Sequence, residues 1–346
     1  MKRLNYIEIY DSVIDAGVMS QVAGIHEFKG KQDMYMMRGG VELTSLADVA
    51  KIHSTQSSNS IEGIVTTDER LRKLVAKKAR PKNDAEMEIA GYREALSLIF
   101  ENYENIELSC GSILQVHKIL YKYTNSSFAG KFKTIDNSIV DVLPDGSKVE
   151  RFRPLAAAHT PQAVKDICSS YNEAIAEGLD ALVLIPLFVL DFLCIHPFND
   201  GNGRMSRLLT LLLLFKSGYF AGNYISIDRI IDKQRKLYYE ALADSSAGWH
   251  ENKNDYSHFV RFLQGTLLGA YKELDARASA FGASKPKRIE SFIKGNYRQL
   301  KKTEIMDSCP DISQTTVQRS LNNLVRAKKI KKIGGGRYTY YIWNLQ

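Results

Sequence analysis

Twelve consecutive residues carry most of the chemistry in this chain: His196-Pro197-Phe198-Asn199-Asp200-Gly201-Asn202-Gly203-Arg204-Met205-Ser206-Arg207. Gly201 and Gly203 can take positive φ without a Cβ penalty, so the N–H groups from Gly201 through Asn202 to Gly203 can converge on one anion. The Leu-rich run after Arg204 has no Pro or Gly up to Phe215. It predicts a buried helix whose positive N-terminal end faces the same point. Arg204 and Arg207, three apart, share a helix face where planar guanidiniums can hold phosphates. Asp200 is a hard oxygen ligand of the kind Mg²⁺ takes beside substrate phosphates. His196, placed before Pro197, ends a helix and offers its ring as a general base. Phe198 reads as a core anchor for the loop, because buried aromatics dominate packing.

Other elements must position this segment. Ala181 to Leu190 is apolar but contains Pro186 and is closed by Asp191, too short for the roughly 20 residues that span a bilayer. It reads as the buried helix that delivers His196, with the whole helix running from Asp180 to Ile195. Further helical patterns cover Glu86 to Tyr103, Gly111 to Tyr123, Pro161 to Glu177 and Arg204 to Lys216. Leu43 through Ser60 reads as another helix, with Leu46, Val49 and Ile52 on one side and Gly63 as terminator. Residues 128–140 alternate at Phe132 and Thr134 and again reach apolar Ile139 and Val140, with Asp136-Asn137 between. That pattern predicts a short hairpin turning at Asp136-Asn137. The surroundings of Asp145-Gly146 and Arg153-Pro154 read as irregular.

The segment from His196 to Arg207 resembles the motif of the Fic family, His-x-Phe-x-Asp/Glu-Gly-Asn-Gly-Arg-x-x-Arg, and matches it at every defined position. The resemblance implies an all-α fold, a helical bundle with a small β-hairpin flap, and transfer of AMP from ATP to a Ser, Thr or Tyr hydroxyl of a protein. It implies His196 as catalytic base, Asp200 as Mg²⁺ ligand, Gly201, Asn202 and Gly203 as phosphate cradle, and Arg204 and Arg207 as ligands of the β and γ groups. Upstream, Ser57-Ser58-Asn59-Ser60-Ile61-Glu62-Gly63 resembles the inhibitory motif of the family's second class, with Ser58 and Glu62 at its two key places. By that resemblance Glu62 pairs with Arg207 and blocks the productive pose of ATP, and can also orient water for de-AMPylation. The segment Lys133, Thr134, Ile135 and Asp136 corresponds to the flap that receives an extended target strand. Arg235 to Leu242 is similar to the helix bordering the adenine, with Tyr239 as base contact. Ser246 stands where relatives often carry Asn, a departure that bears on the adenine and leaves the phosphate chemistry untouched.

The composition, 44% hydrophobic and 25% charged, is that of an ordinary globular protein. Cys110, Cys168, Cys194 and Cys309 show no ligand spacing and read as reduced thiols of a cytoplasmic protein. The first residues have no secretory-signal pattern. Nothing calls for a membrane partner. The division expected is an N-terminal helical region carrying the inhibitory motif (1–80), a catalytic domain (81–281) and a basic C-terminal domain (285–346). That last part holds 14 Lys and Arg against 4 Asp and Glu, a net of +10 within a chain of net +8. Its pattern predicts helices at Ile289 to Lys294, Thr303 to Asp307 and Ser313 to Lys328, then a hairpin around Gly334-Gly335-Gly336. This resembles a winged helix, with Gln314, Thr315, Thr316, Gln318 and Arg319 as the exposed face of its third helix. Such a module binds DNA or positions a protein. The class resemblance further implies a homodimer. Two other readings stand beside AMP transfer: a transferase using another phosphate-bearing donor, and a DNA-binding regulator whose helical body senses a ligand.

Overall fold

The computed structural model of the chain describes residues 2–142, 147–296 and 298–344. Its elements run α1 (Tyr6–Val13), α2 (Ala16–Ile61), α3 (Asp68–Val75), α4 (Asp84–Asn102), α5 (Cys110–Leu120), β1 (Ile139–Val142), β2 (Lys148–Phe152), α6 (Thr160–Ala176), α7 (Ala181–Ile195) and α8 (Asn202–Lys216). After these come α9 (Ala221–Tyr224), α10 (Ile227–Lys233), α11 (Arg235–Ser246), α12 (Ser257–Ala278), α13 (Lys285–Lys294), β3 (Leu300–Lys301), α14 (Lys302–Ser308), α15 (Gln314–Arg326), β4 (Ile330–Ile333) and β5 (Tyr340–Trp343). Among the described residues the architecture is helical, with small antiparallel sheets only. No helix among the described residues is long and apolar enough to cross a membrane.

At the centre, α7 is buried along almost its whole length and packs against α8 and α6. Pro186 inside it has no N–H to give the carbonyl of Leu182, one turn back. The structure supplies another donor: Gln264 Nε2 of α12 reaches Leu182 O at 3.1 Å. The helix therefore continues through the proline to Ile195. α8 is likewise buried on all sides, as its Leu-rich sequence requires. One continuous apolar core gathers side chains from Tyr6 to Leu274, and a second, from Ile289 to Tyr341, belongs to the C-terminal part.

One expectation is extended and another corrected. α2 is two helical pieces: one starts at Ala16, where Asp15 caps it by accepting the Val18 N–H at 2.8 Å, and the second, which holds the helix read from Leu43, follows a break at Gly40. At Gly40 the backbone takes φ 36° and ψ −119°, a kink that only glycine adopts easily. The hairpin does not turn at Asp136-Asn137. Its strands are β1 and β2, with Val140 opposite Glu150 and Val142 opposite Lys148, while Asp145-Gly146 lie outside the described residues. Phe132 and Lys133 are not in a strand, since the Lys133 N–H donates to Pro197 O at 2.9 Å and Phe132 stacks near Phe198. Both neighbours turn inward, which breaks the alternation a strand needs.

In the C-terminal part, α13, α14 and α15 pack around a three-stranded antiparallel sheet of order β3-β5-β4. The two-residue β3 is an element the sequence reading did not include. Arg288 holds Asp311 in a bidentate pair, both bonds 2.7 Å. Asp307 of α14 faces His53 of α2 at 3.4 Å, and its carbonyl accepts from Arg277 of α12 at 3.1 Å.

Candidate active site

His196 caps the C-terminus of α7, one residue past Ile195, and sits in the left-handed region at φ 52° and ψ 61°. That conformation is uncommon for a residue with a Cβ. It is held from three sides. The His196 N–H donates to Phe192 O at 2.9 Å, and Lys133 Nζ reaches Ile195 O at 3.0 Å and Asn137 Oδ1 at 2.8 Å. Asn137 in turn donates to Phe198 O at 3.2 Å. The ring Nδ1 lies 3.3 Å from Leu193 O, so it carries the proton and leaves Nε2 as the basic nitrogen. Burial lowers the His196 pKa to about 4; Leu193 O pushes it up, and nearby Lys133 pushes it down. At neutral pH the imidazole is therefore uncharged and able to accept a proton.

Phe198 is fully buried and stacks on His117, ring centroids 3.7 Å apart and planes 2° from parallel. His117 pins the loop at both ring nitrogens. Its Nδ1 accepts the Gly130 N–H at 2.9 Å, which leaves Nε2 protonated to donate to Asp200 O at 3.1 Å. Burial, the largest influence, lowers its pKa to about 4 and keeps it neutral. Asn202 closes the same loop: its amide accepts from Phe198 N at 2.9 Å and donates to Phe198 O at 2.8 Å. The side chain of Asn202 is thus committed to the loop, and only its N–H remains for an anion. The Asp200 carboxylate is 61% exposed at the mouth, where one oxygen accepts the Gly201 N–H at 2.6 Å.

Gly201, at φ 83°, and Gly203 open α8. A Cβ on Gly203 would lie 2.2 Å from Glu62 Oε1, so the glutamate occupies the space directly over the helix N-terminus. Glu62 Oε1 also accepts from Arg207 at 2.7 Å. Arg207 is 4% exposed; it further donates to Ser58 Oγ and Ser58 O, each at 2.8 Å, and stands 3.7 Å from the buried Asp228. Burial works against this guanidinium, but Glu62, Tyr238 and Asp228 outweigh it and hold it charged. Ser58 and Glu62 reach Arg207 because α2 ends over α8, with the Glu62 N–H bonded back to Asn59 O at 3.0 Å.

Arg204 is placed otherwise than its spacing predicts. It is 1% exposed and turns toward α4 and α5, 2.7 Å from Glu88, 2.8 Å from Tyr121 OH and 3.5 Å from Asn59 Oδ1. It shares a helix with Arg207 without sharing its cavity. That cavity holds about 320 Å³ and is lined by Glu62, His196, Gly203 and Arg207 at one end. Tyr238, Tyr239 and Ser246 of α11 and Arg151 and Phe152 of β2 form its other walls. Tyr239 is half-buried under Arg151, whose guanidinium lies 5.2 Å from its ring, and its hydroxyl pKa is raised by burial first and Glu62 second.

Of the flap residues, Lys133 is buried and braces the 195–198 backbone, which lowers its pKa to about 8 through burial. Thr134 and Ile135 are exposed, Ile135 by 76%, while Asp136 accepts the Ala157 N–H at 2.7 Å. The structure adds His117, Asn137, Tyr121, Glu88, Asn59 and Asp228 to the surroundings of the site. Their partners are set by the fold: His117, Asn137, Tyr121, Glu88 and Asn59 meet groups more than 50 residues away, and Asp228 meets Arg207 from the neighbouring α10.

The helical fold thus brings the end of α7, with His196, and the glycine turn that opens α8 to one cavity. Residues 107–214 match the Fic/DOC family, so this stretch of the chain is a Fic domain. It is 28% identical over 116 residues to the protein adenylyltransferase fic-1 of Caenorhabditis elegans, which covers 34% of this chain and 21% of that protein. The protein adenylyltransferase Fic of Nematostella vectensis is 25% identical over 217 residues, covering 60% of this chain and 44% of that one. The chain thus spans less than half the length of these relatives. A crystal structure of a Fic family protein from Desulfovibrio desulfuricans G20 superposes with a TM-score of 0.65 at 19% identity, covering 96% of this chain and 97% of that one.

Proposed function

We propose that the chain is an autoinhibited protein adenylyltransferase. The observation that carries this reading is the position of Glu62, between Arg207 and the N-terminus of α8, in the same cavity as His196. When the carboxylate leaves, Arg207 and the N–H groups of α8 are free for the distal phosphates of ATP, and Tyr239 borders the base. The two anions compete for one guanidinium and repel each other in a partly desolvated site. Nε2 of His196 takes the proton of a target Ser, Thr or Tyr as its oxygen attacks the α-phosphorus. The bond to the β-phosphate oxygen breaks and pyrophosphate leaves. With Glu62 retained, the same carboxylate can direct water onto an AMP-modified target, the reverse branch of the reading.

Among the described residues no group of three or more His, Cys, Asp or Glu side chains forms a metal cage. A single exposed carboxylate beside a phosphate nest nonetheless fits Mg²⁺, which takes one or two carboxylates and fills its sphere with phosphate oxygens and water. Asp200 would hold it, and bound there the ion neutralises charge on the departing pyrophosphate. Arg204, braced by Glu88 and Tyr121 and 3.7 Å from the Asp200 carboxylate, would meet the phosphates beside the ion that Asp200 holds.

The test is Glu62→Gly, assayed with ATP labelled separately at the α and γ positions. α-label should appear on the protein itself, at least about tenfold above the parent, a shift of about 1.4 kcal/mol. Label from the γ position would establish phosphoryl transfer instead, and unchanged labelling would remove the inhibitory role of Glu62.

The C-terminal part supports a second, separate activity. Three helices, the β3-β5-β4 sheet and exposed Gln314, Thr315 and Arg319 on α15 support the winged-helix reading. We take residues 285–346 as a nucleic-acid or protein docking module attached to the enzyme. Dimer formation, as expected of this class, is part of the same proposal.

A further inference from the structure

A cavity of about 580 Å³ lies between the helical body and the C-terminal part, away from His196. Six cationic side chains line it: Arg229 and Lys233 of α10, Lys272 and Arg277 of α12, Arg288 of α13, and Arg298. The acids in its wall are Glu273, Glu304 and Asp307, and Arg288 is paired from outside the wall with Asp311, both bonds 2.7 Å. Glu273 is shared by two guanidiniums, Arg229 at 2.7 Å and Arg277 at 2.5 Å. Asp307 is engaged by His53, Arg72 and the Arg277 contact to its carbonyl, and Glu304 by Arg298 at 2.8 Å. Among the described residues, Lys233 and Lys272 have no carboxylate within 4.0 Å, and the buried Nε atoms of Arg229 and Arg277 have no hydrogen-bond partner. Positive charge in excess of its partners, gathered in a concave site of nucleotide size, is matched by a polyanion.

The wall of this cavity is continuous with the clamp. His53, Gln56 and Ser57 of α2 line it, and the next residues of the helix are Ser58 and Glu62, which hold Arg207. Arg229 and Lys233 share α10 with Asp228, 3.7 Å from Arg207. α2 and α10 are tied by Ser54 Oγ and Ser226 Oγ at 2.9 Å. Movement of either helix toward a bound anion therefore acts on the Arg207 cluster from behind.

We infer that this interdomain cavity binds a small phosphate-bearing ligand carrying at least two phosphate groups, and that its occupancy shifts the end of α2 that holds Glu62. A small molecule fits better than a nucleic acid, because Lys233 and Lys272 border the same concave cavity as the buried, unpartnered Nε atoms of Arg229 and Arg277. The second half of the inference rests on Glu62 acting as the clamp; the first does not.

The probe is inorganic tripolyphosphate, titrated calorimetrically into the full-length chain, with the double variant Lys233→Glu/Lys272→Glu as comparison. Both lysines are exposed and form no ion pair, so the variant should keep the parent's circular dichroism and melting temperature. Binding should weaken by at least about tenfold in the variant. Hydrogen exchange of residues 53–63 should change on adding tripolyphosphate to the parent and not to the variant. Equal binding by the two proteins would place the anion elsewhere, the nest of α8 first of all, and would overturn the site. Binding lost in the variant with no exchange change in the parent would overturn the coupling. Neither readout depends on AMP transfer, so failure here and failure of the adenylyltransferase reading are separate results.

Discussion

His196 and Lys133 form a coupled pair at the residue scale. Burial and the Lys133 charge hold the imidazole pKa down to about 4, while Leu193 O fixes its tautomer. The base is unprotonated above that value, so the acid limb of kcat/KM should fall near pH 4, well below the ordinary histidine range. Lys133→Met removes a cation that lowers this pKa, so the limb should move toward higher pH; an unmoved limb would mean that Lys133 acts only as a backbone brace. His196→Ala should reduce transfer by about 10²–10⁴-fold while nucleotide binding, measured calorimetrically in a Glu62→Gly background, is kept. Transfer that survives in that variant would exclude His196 as base. Loss of the Glu62 carboxylate leaves Arg207 with Ser58 and Asp228 nearby, which is why the Glu62→Gly protein should remain folded.

At the scale of elements, α7 is the part on which the site depends most. Its proline leaves Leu182 O to be satisfied by Gln264, and the continuity of the helix determines where His196 emerges. Gln264→Leu should cost about 1–3 kcal/mol by leaving that carbonyl unpaired, and should lower the chemical denaturation midpoint accordingly. A midpoint equal to the parent's would show that the helix bends to repair itself. The first piece of α2 and the position of the hairpin, neither of which the sequence announced, share a physical cause. Gly24, Gly30, Gly39 and Gly40 are helix-weakening in isolation, yet α2 is held by packing against α12, α10 and α4. Alternation at Phe132 and Thr134 mimics a strand, but the Lys133 N–H bonds to Pro197 O, a partner 64 positions along that no local pattern announces.

For the whole molecule, charge is divided unevenly: the C-terminal 62 residues carry a net of +10 and the rest is slightly acidic. If the exposed face of α15 meets DNA phosphates, the intact chain should shift a short duplex at low salt, and the affinity should fall steeply as salt rises. Arg319→Glu should weaken the complex and flatten that dependence. A salt-independent shift, or none at about 50 mM salt, would leave protein docking as the use of this module.

Sequence alone determined the candidate segment, because His196, Asp200, Gly201, Gly203 and Arg207 owe their arrangement to contiguous chain: a helix end, a glycine turn and a helix start. It determined equally the buried helices around them, whose apolar runs have one stable fate, and the three helices of the basic tail. Only the tertiary structure decided what those groups face. Glu62 and Arg207 stand 145 positions apart and meet because α2 ends over α8. Arg204, one turn of helix from Arg207, is drawn instead to Glu88 and Tyr121, since α4 and α5 pack on that side. Helical spacing defines which residues share a face; the neighbouring elements define what that face touches, and those are brought together by burial of a common core rather than by any local signal.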